Sequence, residues 1–191
     1  RDPSSAASDV YKRQVVTQLT GGTVEVVTVM PVGADPHDFQ ASAQQAGAVR
    51  TADALIVNGG GFEESLLDVI DGAEADGVAT LAALSAVSSI EVGDEDHAGE
   101  EDHEHSGADP HFFTDPARMA AAVDGIAAVL IANVEGIDAD AVTAAAEAYH
   151  DELEALDAEI AALIAGIPAE NRVLITNHEV FGYFADRYGF E

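Results

Sequence analysis

The sequence predicts an α/β fold in which parallel strands are flanked by helices. Two observations carry this prediction: short runs of β-branched and apolar residues end at glycine or proline, and segments with helical periodicity lie between them. Strands that alternate with helices are joined by crossovers and therefore lie parallel in one sheet. The 191 residues, 48% of them hydrophobic, suffice for one domain or one and a half.

The first fourteen residues, 1–14, differ in composition from the rest of the chain. They hold three of the chain's seven basic residues, and no lysine occurs after Lys12. We predict that 1–14 is a foreign or unrelated leader that stands outside the fold. The fold is then expected to begin at Val15.

Strand and helix patterns alternate through the first half of the chain. Residues 24–30 and 54–58 are predicted buried strands, each followed by a proline or glycine breaker. Residues 42–52 and 62–70 have the spacing of amphipathic helices. The glycine run 59–61 lacks the Gly-Lys-Ser/Thr ending of a phosphate-binding loop and precedes two glutamates, so we interpret it as a structural turn.

Two more helices and a strand are predicted in the second half. Asp115 is placed to cap a helix that has Pro116 at its first position and runs to about residue 133. A longer helix over 138–165 has an apolar stripe and, at ~1.5 Å per residue, could bridge two lobes. Residues 172–176 are predicted to start a new strand. The stripe consists of Tyr149, Leu153, Leu156, Ile160, Leu163 and Ile164.

Three histidines stand just beyond predicted strands or behind a proline. Asp-Pro-His occurs twice, as Asp35-Pro36-His37 and Asp109-Pro110-His111, and His178 comes just after the predicted strand at 172–176. Imidazole is the commonest side-chain ligand of transition metals, and a preceding proline restricts the backbone that carries the ring. The pattern predicts that His37, His111 and His178 bind one metal ion, one ligand short of a tetrahedral shell.

Carboxylates accompany these histidines. Asp35 and Asp109 could accept the second ring proton of a nearby histidine and orient it, although a helix cap or a turn explains each aspartate equally well. Glu179, next to His178, is a further candidate for this supporting role. We therefore expect a second layer of acids around the metal.

An acidic, histidine-containing loop spans 94–107. It has too few apolar residues to pack, and it contains His97, His103 and His105 among carboxylates. Histidine-rich tracts are typical of metal binding, so we predict an accessory, metal-collecting role for it. The alternative is a solvated acidic loop in which the histidines are incidental.

Charge and cysteine content exclude several functions. Acidic residues number 36 against 7 basic ones, and the net charge of −29 disfavours nucleic acid and anionic membranes. Adaptation to a salty habitat explains much of this charge equally well. The chain has no cysteine, so any metal must be bound by nitrogen and oxygen. Neither a signal peptide nor a membrane-inserting segment is expected in it.

Three motifs in order show a family resemblance. Residues 33–39, 109–116 and 177–184, with the acidic loop before the second, resemble the solute-binding receptors of bacterial zinc and manganese ABC importers. The resemblance covers essentially all of 15–191. It implies two α/β lobes joined by one long helix, with the metal in the cleft between the lobes.

On this resemblance, residues 15–135 form the first lobe, 136–167 the connecting helix and 168–191 the start of the second lobe. His37 and His111 would be first-lobe ligands, and His178 the first ligand from the second lobe. The chain is expected to be truncated at both ends, without the first lobe's opening strand and without the second-lobe carboxylate that usually completes the metal shell. Pro36 stands where some zinc-binding members have an acid.

The resemblance implies an extracytoplasmic receptor, acting as a monomer, that captures a metal ion and delivers it to the permease of an ABC importer. An all-nitrogen shell favours zinc, with manganese as the alternative. Because only neutral imidazole coordinates a metal, binding should weaken as the pH falls through ~6.5.

Three other interpretations remain. Three histidines plus a water also describe a zinc-dependent hydrolytic enzyme, although no second histidine follows His178-Glu179 in the His-Glu-x-x-His spacing. The chain could instead be an adhesin-like surface protein with incidental metal binding. The histidines could also be hydrogen-bonded core residues.

Overall fold

The computed structural model describes residues 4–7, 9–34, 39–91, 107–176 and 179–191. Strands and α-helices alternate through the first half, and helices occupy the second. In chain order the elements are β1 (Ser4–Ala7), α1 (Val10–Thr20), β2 (Glu25–Thr28), α2 (Ala43–Val49), β3 (Ala54–Val57), α3 (Leu67–Ala75), β4 (Ala79–Ala82), α4 (Pro116–Asn133), α5 (Ala139–Ile164) and α6 (Gly182–Tyr188). Short 3-10 turns lie at Glu64–Leu66, Ala83–Ala86, Phe112–Thr114 and Ala169–Asn171.

The four strands form one parallel sheet in the order β2-β1-β3-β4. In its register, Ala6 lies opposite Val27 on one side and Leu55 on the other. The predicted α/β class with a parallel, helix-flanked sheet is confirmed.

Strand β3 shows how the sheet separates two apolar cores. All four of its residues are buried. Ala54 and Ile56 belong to a core that includes residues of α1, α4 and α5, whereas Leu55 and Val57 belong to a core that includes residues of α2 and α3. A parallel strand covered on both faces has this continuous apolar character, because neither side of the pleat meets water.

Helices α4 and α5 begin at the residues that the sequence predicts. The Asp115 carboxylate accepts a hydrogen bond from the Ala117 N–H at 2.9 Å, and Asp138 accepts one from Ala141 at 3.0 Å. Each bond satisfies an amide that has no partner within its own helix. Of the predicted stripe on α5, Leu153 and Ile164 are each 8% exposed, whereas Leu156 is 44% and Leu163 is 71% exposed, so only part of the stripe is buried.

Helix α4 is long and apolar enough, by length and composition alone, to cross a membrane. Its Val123, Ile126 and Leu130 side chains are nevertheless fully buried in the core shared with α1 and α5. We therefore assign its apolar character to packing within the lobe.

The prediction that 1–14 stands outside the fold is wrong. Within this segment, β1 pairs with both β2 and β3 at the centre of the sheet, and Lys12 on α1 is 0% exposed. Pairing uses backbone groups that every residue except proline supplies, so it needs no apolar pattern. β1 thus occupies a central position where we expected the opening strand to be missing. The separate origin of the segment stays a prediction.

Two predicted elements also differ from the structure, and one strand was not predicted. Residues 172–176 are not a strand: Leu174 and Arg172 form backbone hydrogen bonds with Glu191 at the end of the chain, and Ile175 is 91% exposed. The helix predicted from residue 62 begins at Leu67, after a 3-10 turn. Strand β4 was not predicted, because Ala-Thr-Leu-Ala lacks a run of β-branched residues.

Candidate metal site

The candidate site lies at the carboxyl end of β3. Asn58, the residue after this strand, donates a hydrogen bond from its side-chain amide to the Pro110 carbonyl at 2.8 Å. This bond holds the second Asp-Pro-His motif beside the glycine turn 59–61. Ligands of parallel α/β sheets bind at this edge, because the strands end there and the loops converge.

Asp109 orients the ring of His111. Its Oδ1 lies 2.8 Å from Nδ1 of the His111 ring and also accepts the His111 backbone N–H at 2.8 Å. The two residues are each 8% exposed. Because a carboxylate accepts the Nδ1 proton, the tautomer that this contact favours carries its lone pair on Nε2. Nε2 is therefore the nitrogen of His111 that is suited to coordinate a metal.

Two aromatic rings lie against His111. The centroids of Phe62 and Phe113 are 6.1 Å and 6.0 Å from the centroid of the imidazole, and both meet it edge to face. These rings exclude water from two sides of the imidazole, and exclusion of water strengthens the electrostatic attraction between a metal ion and its ligands.

Glu63 fixes the glycine turn beneath the site. Its carboxylate accepts the N–H groups of Asn58 at 2.6 Å and Gly59 at 3.1 Å. A side-chain acid occupies these two amides, so they do not serve a phosphate. The three glycines have φ between 65° and 84°, which residues with a Cβ rarely adopt. The contacts and backbone angles are those of a structural turn.

A buried lysine reaches the same turn from α1. Lys12 Nζ lies 2.5 Å from Asp9 Oδ2 and 3.6 Å from Glu63 Oε1. Burial lowers the pKa of Lys12, while the attraction of the two carboxylates opposes this shift. Tyr11 donates a hydrogen bond to Asn58 Oδ1 at 2.6 Å, and burial, followed by the charges of the same two acids, raises the pKa of its hydroxyl.

The structure describes only part of the predicted ligand set. His111 and Asp109 are in contact, and Glu179 is exposed. Among the described residues, no three His, Cys, Asp or Glu side chains converge as a metal site. The other predicted site residues, namely His37, His178, Asp35, His97, His103 and His105, lie outside the described residues. The ligand set therefore stays a prediction.

Sequence reasoning did not find the residues that hold the site in place. Asn58 and Glu63 were treated only as neighbours of a glycine turn, and Tyr183 was not singled out. A polar pair that brackets a glycine run just after a buried strand is a usable signal, because buried turn amides need acceptors.

The chain has a parallel α/β lobe followed by one long helix, and the loop that carries His111 lies at the carboxyl ends of the strands. These features place it in the class of two-lobed metal-binding receptors. Within this class, the chain is a member of the family described as zinc-uptake complex component A, periplasmic (ZnuA), whose sequence profile matches residues 7–191. The predicted resemblance is confirmed. The chain covers the first lobe and the connecting helix of this architecture.

Relatives of this chain bind different metals. The zinc-binding protein TroA of Treponema pallidum is 30% identical over 176 residues, and the manganese-binding lipoprotein MntA of Halalkalibacterium halodurans is 27% identical over 177. These alignments cover 92% and 93% of this chain but 54% and 55% of the relatives. The chain thus spans about half the length of the curated relatives it matches.

Solved structures show the same fold. The periplasmic zinc-binding protein TroA of T. pallidum superposes with a TM-score of 0.84 at 26% identity, over 100% of this chain and 65% of that one. The family consists of substrate-binding receptors, and several of the relatives are named as lipoproteins or periplasmic proteins.

Proposed function

We propose that this chain is part of an extracytoplasmic receptor that captures zinc and delivers it to the permease of an ABC importer. The observation that carries the proposal is the Asp109–His111 contact of 2.8 Å. It stands at the carboxyl edge of the sheet in a chain whose family is that of a zinc-uptake component. An oriented imidazole at such an edge is suited to hold a metal.

His37, His111 and His178 are the proposed ligands, each presenting one ring nitrogen to the ion. Asp109 supports His111 through Nδ1, and we assign Asp35 and Glu179 similar supporting roles. Three neutral imidazoles suit Zn²⁺, which is borderline-soft, better than Mn²⁺, which prefers oxygen. Zinc is therefore the proposed cargo and manganese the alternative.

The acidic loop 94–107 is proposed to collect metal for this site. The negative charges among which His97, His103 and His105 lie attract divalent cations over roughly a Debye length, ~8 Å at physiological ionic strength. Loose capture there would raise the local metal concentration near His111, which stands four residues after the loop.

We propose a receptor that acts as a monomer, does not insert into the membrane and is not an enzyme. Besides the metal, its proposed partner is the permease, and its net charge of −29 opposes nucleic acid binding. A zinc hydrolase needs an open coordination position and a general base beside it. Of the described acids at the site, Asp109 is already engaged by His111, and Glu63 is engaged by two backbone amides.

Zinc titration calorimetry at neutral pH tests the proposal. The wild type is compared with His37→Ala, His111→Ala, His178→Ala and a variant that lacks 94–107, with His150→Ala on α5 as the matched control. One tight site that weakens with each of the first three substitutions, and survives both the loop deletion and the control, is the expected result. Competition with Mn²⁺ then ranks the two metals.

Three outcomes would contradict the proposal. Zinc binding that disappears with the loop and ignores the three histidines would place the metal in the loop alone. Turnover of an activated ester by the zinc-loaded protein, abolished by His111→Ala, would support the enzyme instead. Weak binding that leaves the melting temperature unchanged would indicate an adhesin-like protein with incidental metal.

A further inference from the structure

We propose that Tyr183 is a positioning residue for the metal site: its hydroxyl fixes Asp109, and through Asp109 it fixes the ring of His111. This inference rests on the proposed function, since it assigns His111 to the metal. Tyr183 lies on α6, which begins four residues after His178, so the same contact joins the segment of one proposed ligand to the loop of another.

The Tyr183 hydroxyl joins two backbone segments. It donates a hydrogen bond to the Asp109 carbonyl at 2.6 Å and accepts one from the Ile90 N–H at 3.2 Å. The Asp109 N–H in turn donates to the Ile90 carbonyl at 2.8 Å. Ile90 and Asp109 are therefore joined directly by one backbone hydrogen bond and indirectly through the Tyr183 hydroxyl. The backbone of Asp109 is fixed at its N–H and at its carbonyl.

The side chain of Asp109 also packs against α6. A Cβ placed on Gly182 would lie 2.7 Å from Asp109 Oδ2 and 3.3 Å from Ile90 Cδ1. Glycine is needed here for close approach, since its φ is not in the left-handed region. The first residue of α6 thus limits where one carboxylate oxygen can lie, while the other reaches His111.

The ring of Tyr183 is anchored independently of its hydroxyl. It is 0% exposed, and the guanidinium of Arg118 lies 4.7 Å from its centroid. Arg118 also pairs with Asp115 at 2.7 Å and with Asp186 of α6 at 2.9 Å. These contacts hold α6 against the start of α4. Removal of the hydroxyl alone should therefore leave the helix docked and release the Asp109 carbonyl and the Ile90 N–H.

This arrangement matters because one oxygen performs two tasks. Asp109 Oδ1 reaches both the backbone N–H and the Nδ1 of His111 at 2.8 Å, which requires a fixed backbone at Asp109. If the backbone of Asp109 could move, its carboxylate would no longer hold the imidazole of His111 in one orientation, and the ring could rotate. Affinity for a metal falls when its ligands must be ordered on binding, because that ordering costs conformational entropy.

Tyr183→Phe tests the inference, and Tyr188→Phe is its matched control. Tyr188 lies on the same helix, is 7% exposed and donates its hydroxyl proton to Asp157 of α5 at 2.8 Å rather than to Asp109. Zinc affinity by competition with a chelating dye is expected to fall about tenfold in Tyr183→Phe, the lower end for a residue that supports a ligand. In Tyr188→Phe it should stay within about twofold, although both variants lose a hydrogen bond, buried in one case and partly buried in the other, and melt at a lower temperature.

A second readout needs no metal. Nitrogen NMR of the metal-free protein at one fixed pH reports which ring nitrogen of His111 carries the proton. The wild type and Tyr188→Phe are expected to show one tautomer, protonated at Nδ1, and Tyr183→Phe a mixture of both. Equal effects of the two substitutions on zinc affinity, or an unchanged His111 signal in Tyr183→Phe, would reduce Tyr183 to a core residue and overturn the inference.

Gly182→Ala adds an independent perturbation of the same carboxylate. Its added methyl should displace Asp109 and weaken zinc binding at least as much as Tyr183→Phe does. Gly47→Ala on α2, where a Cβ would meet nothing within 4 Å, is the control. If His111→Ala left zinc affinity unchanged, the proposed function would fail, yet the NMR comparison would still test Tyr183 separately.

Discussion

Substitutions at Asp109 separate the two ways in which a carboxylate can support a metal ligand. Oδ1 accepts both the backbone N–H and the Nδ1 proton of His111. Asn at this position retains an oxygen that can make both bonds but loses the negative charge. Ala loses both the oxygen and the charge.

The expected magnitudes depend on these contacts. Removal of the partner of a ligating histidine weakens metal binding roughly 10–100-fold, which is about 1.4–2.7 kcal/mol, and we expect this range for Asp109→Ala. A charge-assisted hydrogen bond is about twice as strong as a neutral one, so Asp109→Asn should lose about half of that free energy, or roughly 3–10-fold in affinity. Because Asp109 is buried, Asp109→Ala should also lower the free energy of unfolding by about 1–3 kcal/mol.

The assay is zinc affinity from competition with a chelating dye at pH 7.5, together with urea unfolding of the metal-free protein. Asp124→Ala, at an exposed position on α4, controls for the loss of one negative charge. If Asp109→Ala bound zinc as tightly as the wild type, orientation of His111 by Asp109 would be irrelevant to the metal. If Asp109→Asn lost as much affinity as Asp109→Ala, the charge alone would matter and the orientation argument would fail.

Three further predictions concern stability. Arg187 contacts Asp157 at two points, 3.0 Å and 2.5 Å apart, and holds the pKa of this carboxyl below its usual range. The contribution of Asp157 to the free energy of unfolding is therefore present above about pH 4 and is lost as the pH falls further. The melting temperatures of the wild type and Asp157→Asn should converge below that pH, and a constant difference would contradict this. Gly60→Ala should lower the free energy of unfolding in urea by about 2–4 kcal/mol, since φ is +65° and the new methyl would lie 2.6 Å from a leucine carbon. Its control, Gly22→Ala, has a φ of +75° and open space around the new methyl, and should lower it by only about 1–2 kcal/mol. Asp115→Ala should cost at least about 1–2 kcal/mol because α4 loses its N-cap bond, and an unchanged urea midpoint would show that the cap is dispensable.

The elements that sequence reasoning placed well are those with local signals. Helices α4 and α5 begin at aspartates whose side chains bond amides two and three residues ahead. Strands β2 and β3 are short apolar runs between breakers. In each case the information lies within a few residues. Burial on both faces of the sheet adds to it for β3, whereas β2, predicted to be buried, is an edge strand with one exposed and three half-buried residues.

The elements that it missed depend on distant partners. Strand β4 is half-buried and has a weak β pattern, and it exists because β3 pairs with it along Ala54–Val57. Residues 172–176 have a strong β pattern, yet in the described part of the chain their backbone bonds to Glu191 and to the preceding turn at Ala169, and to no strand. A strand requires a neighbour, and β propensity by itself does not provide one.

In the candidate site, too, some residues could be predicted from local signals and others depend on distant partners. The Asp-Pro-His motif identified His111 as a candidate ligand. For Asp109, two residues earlier, the sequence left two interpretations: orientation of a nearby histidine, or a helix cap or turn. The residues that hold this pair come from far along the chain: Asn58 is 52 residues from Pro110, and Tyr183 is 74 residues from Asp109. Contacts across such separations arise from the packed fold, so a ligand can be recognised from its motif before the residues that orient it can.

Segment 1–14 shows why composition and membership of a fold are separate properties. A strand at the centre of a parallel sheet is hydrogen-bonded on both edges through its backbone, so Ser-Ser-Ala-Ala can occupy that place without large apolar side chains. The unlike composition of the segment remains visible in Lys12, whose pKa burial lowers and whose charge needs Asp9 and Glu63 beside it. Composition shows only that a lysine is rare in this acidic chain, whereas the packed structure shows that two acids accommodate it.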